Sequence, residues 1–194
     1  MADIEENLIN HIARFLEINE HDANEILTYF KVIEIAKKKN LLSEGKICKS
    51  NYFVSKGCLR MFFINEKGVE QTIQFALENW WIADYTSFSS QKPADFYIQA
   101  VEKSAILALD FLSQDKLLRE FPQMERYFRF IHQRAHAASQ FRIKNLYELS
   151  SEERYHQFTK RYPEFVQRIP QYLLASFLGL TPEYLSEIKS KRIS

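Results

Sequence analysis

The sequence predicts an α+β protein in which a strand-rich first half is followed by a long helix and a compact helical end. Three observations predict this. Short aromatic and β-branched runs recur between turn signals up to about residue 110. The stretch from Gln123 to Leu149 contains neither Gly nor Pro. The segment "RIPQYLLASFLGLTPEYLSEIKSKR" (Arg168 to Arg192) reads as a helix, a tight break and a second helix.

Taken in order, two short amphipathic segments open the chain, Asn7 to Leu16 and His21 to Phe30. "YFKVIEIAKK" then alternates apolar and polar residues, and Glu44 to Lys46 reads as a turn. "NYFVSKGCLRMFFIN" is strand-like and is broken at Gly57, while Glu66-Lys67-Gly68 separates two strand patterns as a hairpin does. "ADFYIQAVEKSAILALDF" predicts two more strands split at Glu102-Lys103-Ser104. Many short strands at close intervals suggest a small barrel or sandwich.

From Ser113 the pattern turns helical, and Pro122 stands at a plausible first helical position. Met124, Phe128, Ile131, Ala135 and Ala138 step alternately by four and three, a heptad seam whose alanines admit a close second helix. Either a packed domain face or a two-fold dimer would cover that seam, and the dimer is the preferred reading. Ser150-Ser151-Glu152-Glu153 reads as a cap opening a further helix that ends near Tyr162-Pro163. The expected domains are therefore 1–121, a linking helix over 122–149, and 150–194.

The composition bounds the function. With 194 residues, 46% of them hydrophobic, the chain can bury one or two sizeable cores. Its formal net charge of +1 gives no global attraction to nucleic acid or membrane, so any basic surface is local. Cys48 and Cys58 are its only cysteines, too few for a disulfide framework or an all-Cys metal centre. The acidic start, MADIEENLIN, is unlike a signal peptide, and no apolar run reaches membrane-spanning length. A soluble, cytoplasmic protein with no membrane contact is expected.

The terminal segment meets the requirements of a helix-turn-helix. Leu174 and Leu178 supply the inner face of a first helix, and Ala175 is the small residue that permits a close crossing. Gly179 takes positive φ at the break, Leu180 plugs the turn, and Leu185 with Ile188 form the inner face of the second helix. Thr181-Pro182-Glu183 is a sound helix start. An ordinary helix corner would satisfy the same pattern. If the unit reads DNA, the second helix presents Pro182, Glu183, Ser186, Glu187 and Lys189 to bases, with Gln171 opening the first helix. Thr181, Lys189, Lys191 and Arg192 would then hold phosphates. Seven Lys/Arg against five acids over 151–194 leave a net charge of only +2, which favours two copies acting together.

In this order of parts the chain resembles the Crp/Fnr-type transcription regulators, over nearly its whole length. "FVSKGCLRMFFINEKGVEQTIQF" is similar to the family's β-roll with glycine turns. "ENWWIADYTSF", "SSEERYHQF" and "IPQYLLASFLGLTPEYLSEIK" are similar to the branch common in Bacteroidetes. The resemblance implies a cyclic nucleotide-binding-like double-stranded β-helix or jelly roll, a long dimerisation helix, and a C-terminal helix-turn-helix that binds operator DNA as a homodimer. Family members that bind cyclic nucleotides follow a Gly-Glu-rich turn with an Arg-Ser/Thr-Ala segment. Here the matching stretch "LENWWIADYTSFSSQKPADFYIQA" has no Gly and no Arg, and Lys92 is its only cation. Asp95-Phe96-Tyr97 stands about where the arginine segment belongs, and a carboxylate has the wrong sign to clamp a phosphate. Cyclic AMP is therefore not expected. Trp80, Trp81, Phe88 and Tyr97 fill a vestigial pocket or stack an unknown planar effector, with Asp84 near the family's ribose-binding acid. Glu187 stands where many relatives carry a guanine-reading arginine.

Other chemistry is sparse. His132 and His136 are spaced i, i+4 without a third metal ligand, and read as solvated or seam-lining. Arg126, Arg129, Arg134, Arg142 and Lys144 form an acid-free stretch that is solvated, paired internally, or in contact with flanking DNA or RNA polymerase. No nucleophile elbow, phosphate loop or paired-carboxylate motif is visible, so neither an enzyme nor a cofactor is expected. The alternative to a regulator is an effector-binding or protein-docking β-roll module whose terminal helix pair does not engage DNA.

Overall fold

The alternating runs of the first half fold as two antiparallel four-stranded sheets. The computed structural model describes residues 2–190. Two helices, α1 (Ala2–Ala13) and α2 (Glu20–Leu27), lead into β1 (Phe30–Ile35), β2 (Asn40–Leu42), β3 (Ser50–Lys56), β4 (Leu59–Ile64), β5 (Glu70–Ala76) and β6 (Trp81–Ile82). A short helix α3 (Tyr85–Ser90) precedes β7 (Tyr97–Ala100) and β8 (Ser104–Asp110). The rest is helical: α4 (Phe111–Glu120), α5 (Gln123–Glu148), α6 (Ser151–Arg161), α7 (Pro163–Arg168), α8 (Gln171–Leu178) and α9 (Pro182–Ser190).

One sheet runs β1-β8-β3-β6 and the other β2-β7-β4-β5. The expected strands are present. Short β2, β6 and α3 are additions that the hydrophobic period does not reveal, and α4 begins two residues before Ser113. Side-chain caps explain several helix starts. Asn19, Asp84 and Asp110 each accept the backbone N–H three residues on, opening α2, α3 and α4. Pro122 precedes α5 rather than occupying its first residue.

Contacts divide the chain into two units. The first comprises the described residues up to Phe63 with Gln74–Gln133, and the second Ile64–Ile73 with the described residues from Arg134 on. The sequence places the boundary near Leu149, but the division falls inside α5. The cause is packing: Met124, Tyr127 and Phe128 in the first turns of α5 are buried in the core of the first unit.

That core joins Leu8 and Ile12 of α1, Ile26 of α2, Phe53 of β3, Trp81 of β6, Leu107 and Leu109 of β8, and Leu117 of α4 to those α5 residues. Within it, Trp81 Nε1 donates to the Tyr127 hydroxyl at 2.8 Å, and that hydroxyl lies 2.8 Å from His11 Nδ1. The indole is donor-only, so the phenol accepts from Trp81, and the same hydroxyl shares a second hydrogen bond with the His11 ring. Alternation sends Tyr52, Val54, Ile106 and Ala108 to the other face of the same sheet, where they are also buried. Gly57 joins β3 to β4 at φ +105, and a Cβ there would lie 2.3 Å from Ser104 Oγ and 2.7 Å from its Cα.

In the second unit, Ser150 and Glu153 form a reciprocal capping box at the start of α6, and the bond to Ser150 holds the Glu153 carboxyl below its ordinary pKa. Phe158 packs its ring on Phe165 and Phe177, with centroids 5.6 and 5.5 Å away. α7 is a separate helix begun by Pro163, where the sequence suggested only a stop. The tip between β4 and β5 turns on Asn65, whose Oδ1 accepts from the N–H groups of Lys67 and Val69 at 3.0 Å each.

The same tip is tied to α8. Thr72 N–H donates to Ser176 Oγ, and Ser176 Oγ donates to Glu70 O, both at 2.8 Å. Arg142 donates to the carbonyl oxygens of Ile73 and Phe177, and its guanidinium lies 4.2 Å from the centre of the Phe177 ring.

Two stability outcomes follow from these contacts. Gly57→Ala adds a backbone collision to an unfavourable φ and is expected to destabilise the chain by about 3 kcal/mol or more. Gly68→Ala, at φ +75 with open space around it, carries only the conformational cost of about 1–2 kcal/mol. Urea denaturation of the two variants checks the difference. Tyr127→Phe leaves the buried indole N–H without its acceptor, and the same measurement should show a loss of about 1–3 kcal/mol.

Candidate functional site

The α8–α9 pair is built as the sequence predicts. Leu173, Leu174, Ala175 and Leu178 of α8 and Leu185 and Ile188 of α9 are buried. Gly179 ends α8 at φ 72, and Leu180 N–H returns to Ala175 O at 2.9 Å. The Thr181 side chain caps α9 by accepting Tyr184 N–H at 3.2 Å. The helix therefore enters its first turn with its apolar stripe fixed against α8 and its opposite side exposed.

That opposite side carries most of the expected contact residues. Thr181, Pro182, Glu183, Ser186 and Glu187 are exposed, as is Gln171 at the start of α8, whereas Lys189 is half-buried. Lys191 and Arg192 lie outside the described residues. Three exposed residues were not singled out from the sequence: Tyr172, Tyr184 and Ser190. A helical projection would have found Ser190, which lies i+4 from Ser186. The tyrosines flank the apolar stripe, and an aromatic there reads from sequence as core. Ser186 and Ser190 hydroxyls donate to the carbonyl oxygens of Pro182 and Glu187, at 3.0 and 2.8 Å. The outer side of α9 is thus small and polar, with carboxylates at Glu183 and Glu187.

The residues expected to form an aromatic pocket are not brought together. Trp81 is buried in the core with Phe53, Tyr127 and Phe128, while its neighbour Trp80 is half-exposed. Trp80 precedes β6 and only Trp81 enters the strand, so the Trp-Trp pair divides. Asp84 is buried and spends Oδ1 on Ser87 N–H at 3.0 Å, capping α3. Ser87 in turn accepts Cys48 N–H at 2.9 Å. Phe88 packs on Phe111, and Tyr97 on β7 stacks on Phe62 of β4, with centroids 4.9 Å apart.

Beside that stack lies a group the sequence reading missed. Arg60 is buried on β4, its Nε and Nη2 donate to Gln99 Oε1 at 3.1 and 2.7 Å, and its guanidinium lies 4.0 Å from the centre of the Phe62 ring. The signal was a single cation inside the otherwise apolar strand "LRMFFI". Among the clefts of the first unit, one of about 630 Å³ is lined by Asn40–Ser43, Gly45–Ile47, Lys49, Tyr52 and Pro93, and brings Lys46 and Lys49 to an otherwise apolar and neutral wall.

The histidine pair and the basic stretch also resolve. His132 packs edge-on against Tyr85, and desolvation lowers its pKa. Among the described residues, no group of three or more His, Cys, Asp or Glu is placed to hold a metal ion. Arg142 is committed to the carbonyls of the second unit, and its burial lowers its pKa. Lys144 pairs with Glu148 at 3.1 Å. Both cysteines are buried. No helix among the described residues is long and apolar enough to cross a membrane.

Comparison with known proteins places this architecture. Residues 32–121 match the family model of the cyclic nucleotide-binding domain. The fold is similar to that of FixK2 from Bradyrhizobium japonicum, with TM-score 0.72 and 16% identity, covering 84% of this chain and 83% of that one. It is also similar to the catabolite activator protein of Thermus thermophilus, with TM-score 0.56, 20% identity, and coverage of 91% and 84%. A Eubacterium rectale chain assigned to the Crp/Fnr regulator family gives TM-score 0.68 at 13% identity, over 90% and 83%. A comparison with curated proteins found no match. Residues 32–121 thus form a cyclic nucleotide-binding-type domain, and the chain carrying it has the fold of the Crp/Fnr-type transcription regulators.

Proposed function

We propose that this chain is a DNA-binding transcription regulator that acts as a homodimer, with α8 and α9 as its helix-turn-helix and α9 as the helix that enters the major groove. The observation that carries this reading is the division of α9 into two sides. Leu185 and Ile188 anchor it to α8, while Pro182, Glu183, Ser186 and Glu187 are exposed, with small or hydrogen-bonding side chains. Glu183 suits the amino group of a cytosine, and Ser186 tolerates either a donor or an acceptor. Gln171, Thr181 and Lys189, with Lys191 and Arg192 beyond the described residues, supply the phosphate contacts.

Dimerisation is supported by what α5 leaves uncovered. Met124 and Phe128 of the heptad seam serve the core of their own unit, but Ala135 and Ala138 are exposed. Ile143 and Leu146 are about half-exposed, and Tyr147 is 89% exposed. A second α5 would remove these apolar groups from water. Two copies would also double a basic charge that one copy supplies thinly.

The sensor domain in this proposal does not take cyclic AMP. Asp84 is spent as a helix cap, and the stretch following it offers Lys92 as its only cation. A cyclic phosphate would meet no guanidinium from that segment.

Three measurements test the proposal. DNA affinity is expected to fall steeply with salt, and Lys189→Glu with Lys191→Glu should weaken it further by about tenfold or more. Selection of bound genomic fragments should return a palindromic site. Retention of mixed fragments that responds to neither salt nor these substitutions would instead support a docking module whose helix pair does not engage DNA. Thermal unfolding with micromolar cyclic AMP should show no shift, and a rise of several degrees would overturn the assignment of the sensor.

A further inference from the structure

β5 lies at the edge of its sheet, where a strand carries N–H and C=O groups that no further strand takes up. Glu70 and Thr72 are alternate residues of β5, so their peptide groups point to the same edge, and both end on one side chain of α8. Thr72 N–H donates to Ser176 Oγ, and Ser176 Oγ donates to Glu70 O. We infer that Ser176 and Arg142 are positioning residues that lock the helix-turn-helix to the long helix α5 through this strand edge, and that the lock sets the spacing at which two copies read a pair of DNA half-sites. The inference rests on the DNA-binding reading proposed above.

Three segments meet at the lock, and all of them belong to the second unit. Arg142 on α5 donates through Nη1 to Ile73 O on the strand and through Nη2 to Phe177 O on α8, residues 69 and 35 positions away in the chain. A guanidinium is planar and its donors are fixed in direction, so one side chain bridging two carbonyls sets an angle as well as a distance. The Phe177 ring has two partners of its own, the Arg142 guanidinium at 4.2 Å and the Phe158 ring at 5.5 Å. Turning α8 about its axis would break the Ser176 bonds and disturb these ring contacts together.

Apolar packing alone would hold these helices together without choosing their angle. Burial of apolar area has no direction, whereas a hydrogen bond weakens steeply as it bends. The lock also spares the reading surface. Ser176 and Phe177 belong to α8, while Pro182, Glu183, Ser186 and Glu187 of α9 stay exposed. The lock thus constrains where α9 stands relative to α5, and leaves the choice of bases to α9 itself. In a two-fold dimer that position fixes the distance between the two recognition helices, and with it the half-site spacing. A head held in place beforehand also loses less freedom on engaging DNA.

The test uses the full chain and three variants: Ser176→Ala, Ser176→Thr and Arg142→Lys. Hydrogen exchange needs no DNA and reads the lock directly. The Thr72 amide has Ser176 Oγ as its acceptor. It should exchange about tenfold or more faster in Ser176→Ala, and close to the parent's rate in Ser176→Thr, which keeps the hydroxyl. Fluorescence anisotropy then measures binding to the selected palindrome, to versions with base pairs added or removed between the half-sites, and to a single half-site. The parent should lose about tenfold or more in affinity when the spacing changes. Ser176→Ala and Arg142→Lys should lose no more than about threefold across the same series, with single half-site affinity equal to the parent's. Either variant carries the test by itself, and Ser176→Thr should restore the parent's spacing preference. A uniform loss on every DNA with the spacing preference intact is what a merely structural role predicts, and it would overturn the inference. So would a Thr72 amide that exchanges no faster in Ser176→Ala. A parent that binds no DNA would instead remove the regulator reading, and the role of the lock with it.

Discussion

The hydroxyl of Tyr127 is the constraint on which the first unit depends. It accepts the Trp81 indole N–H and hydrogen-bonds the His11 ring, so a residue of the long helix is bonded to the β-sheet and to the first helix at once. Both bonds are 2.8 Å and lie among buried rings, where no water replaces a lost partner. Burial also pushes the phenol pKa well above its ordinary value, keeping the proton the arrangement needs. The hydroxyl thus holds the His11 ring and the start of the long helix in register with each other. The start of α5 is therefore part of the first unit.

Much of the fold was legible because its signals are local. Leu174, Ala175, Gly179, Leu185 and Ile188 fix a helix pair through spacing and one positive φ, and each occupies the role its position suggested. Gly57 and Gly68 likewise mark turns where only glycine is comfortable. The aromatic segment was harder for a physical reason. Adjacent tryptophans look like one patch in a sequence, but only Trp81 belongs to β6, and a strand of two residues is too short to show a period. Asp84 shows the same limit. A carboxylate before a helix can be a ligand or a cap, and only the bond to Ser87 decides.

The long helix illustrates how one pattern can serve two purposes. The seam from Met124 to Ala138 has a single heptad register, but its first turns are consumed by the core of the same unit and its later turns are left bare. A period measures which side of a helix is apolar and not what covers it. Arg142 was equally opaque, since nothing in "QFRIKN" distinguishes a solvated arginine from one that grips carbonyls. Arg60 belongs to the same class. Their significance comes from strands and helices that meet only after folding.

The tip from Ile64 to Ile73 groups with the C-terminal helices although it lies in the middle of the strand-rich half. Its peptide groups bond to Ser176 and Arg142, so a fragment cut at the apparent domain border would deprive both side chains of their partners. Modularity in this chain is consequently interleaved rather than sequential. A chimera that grafts the terminal helices onto a foreign sensor must bring the ten-residue loop with them, or supply backbone amides and carbonyls of matching shape from its new host.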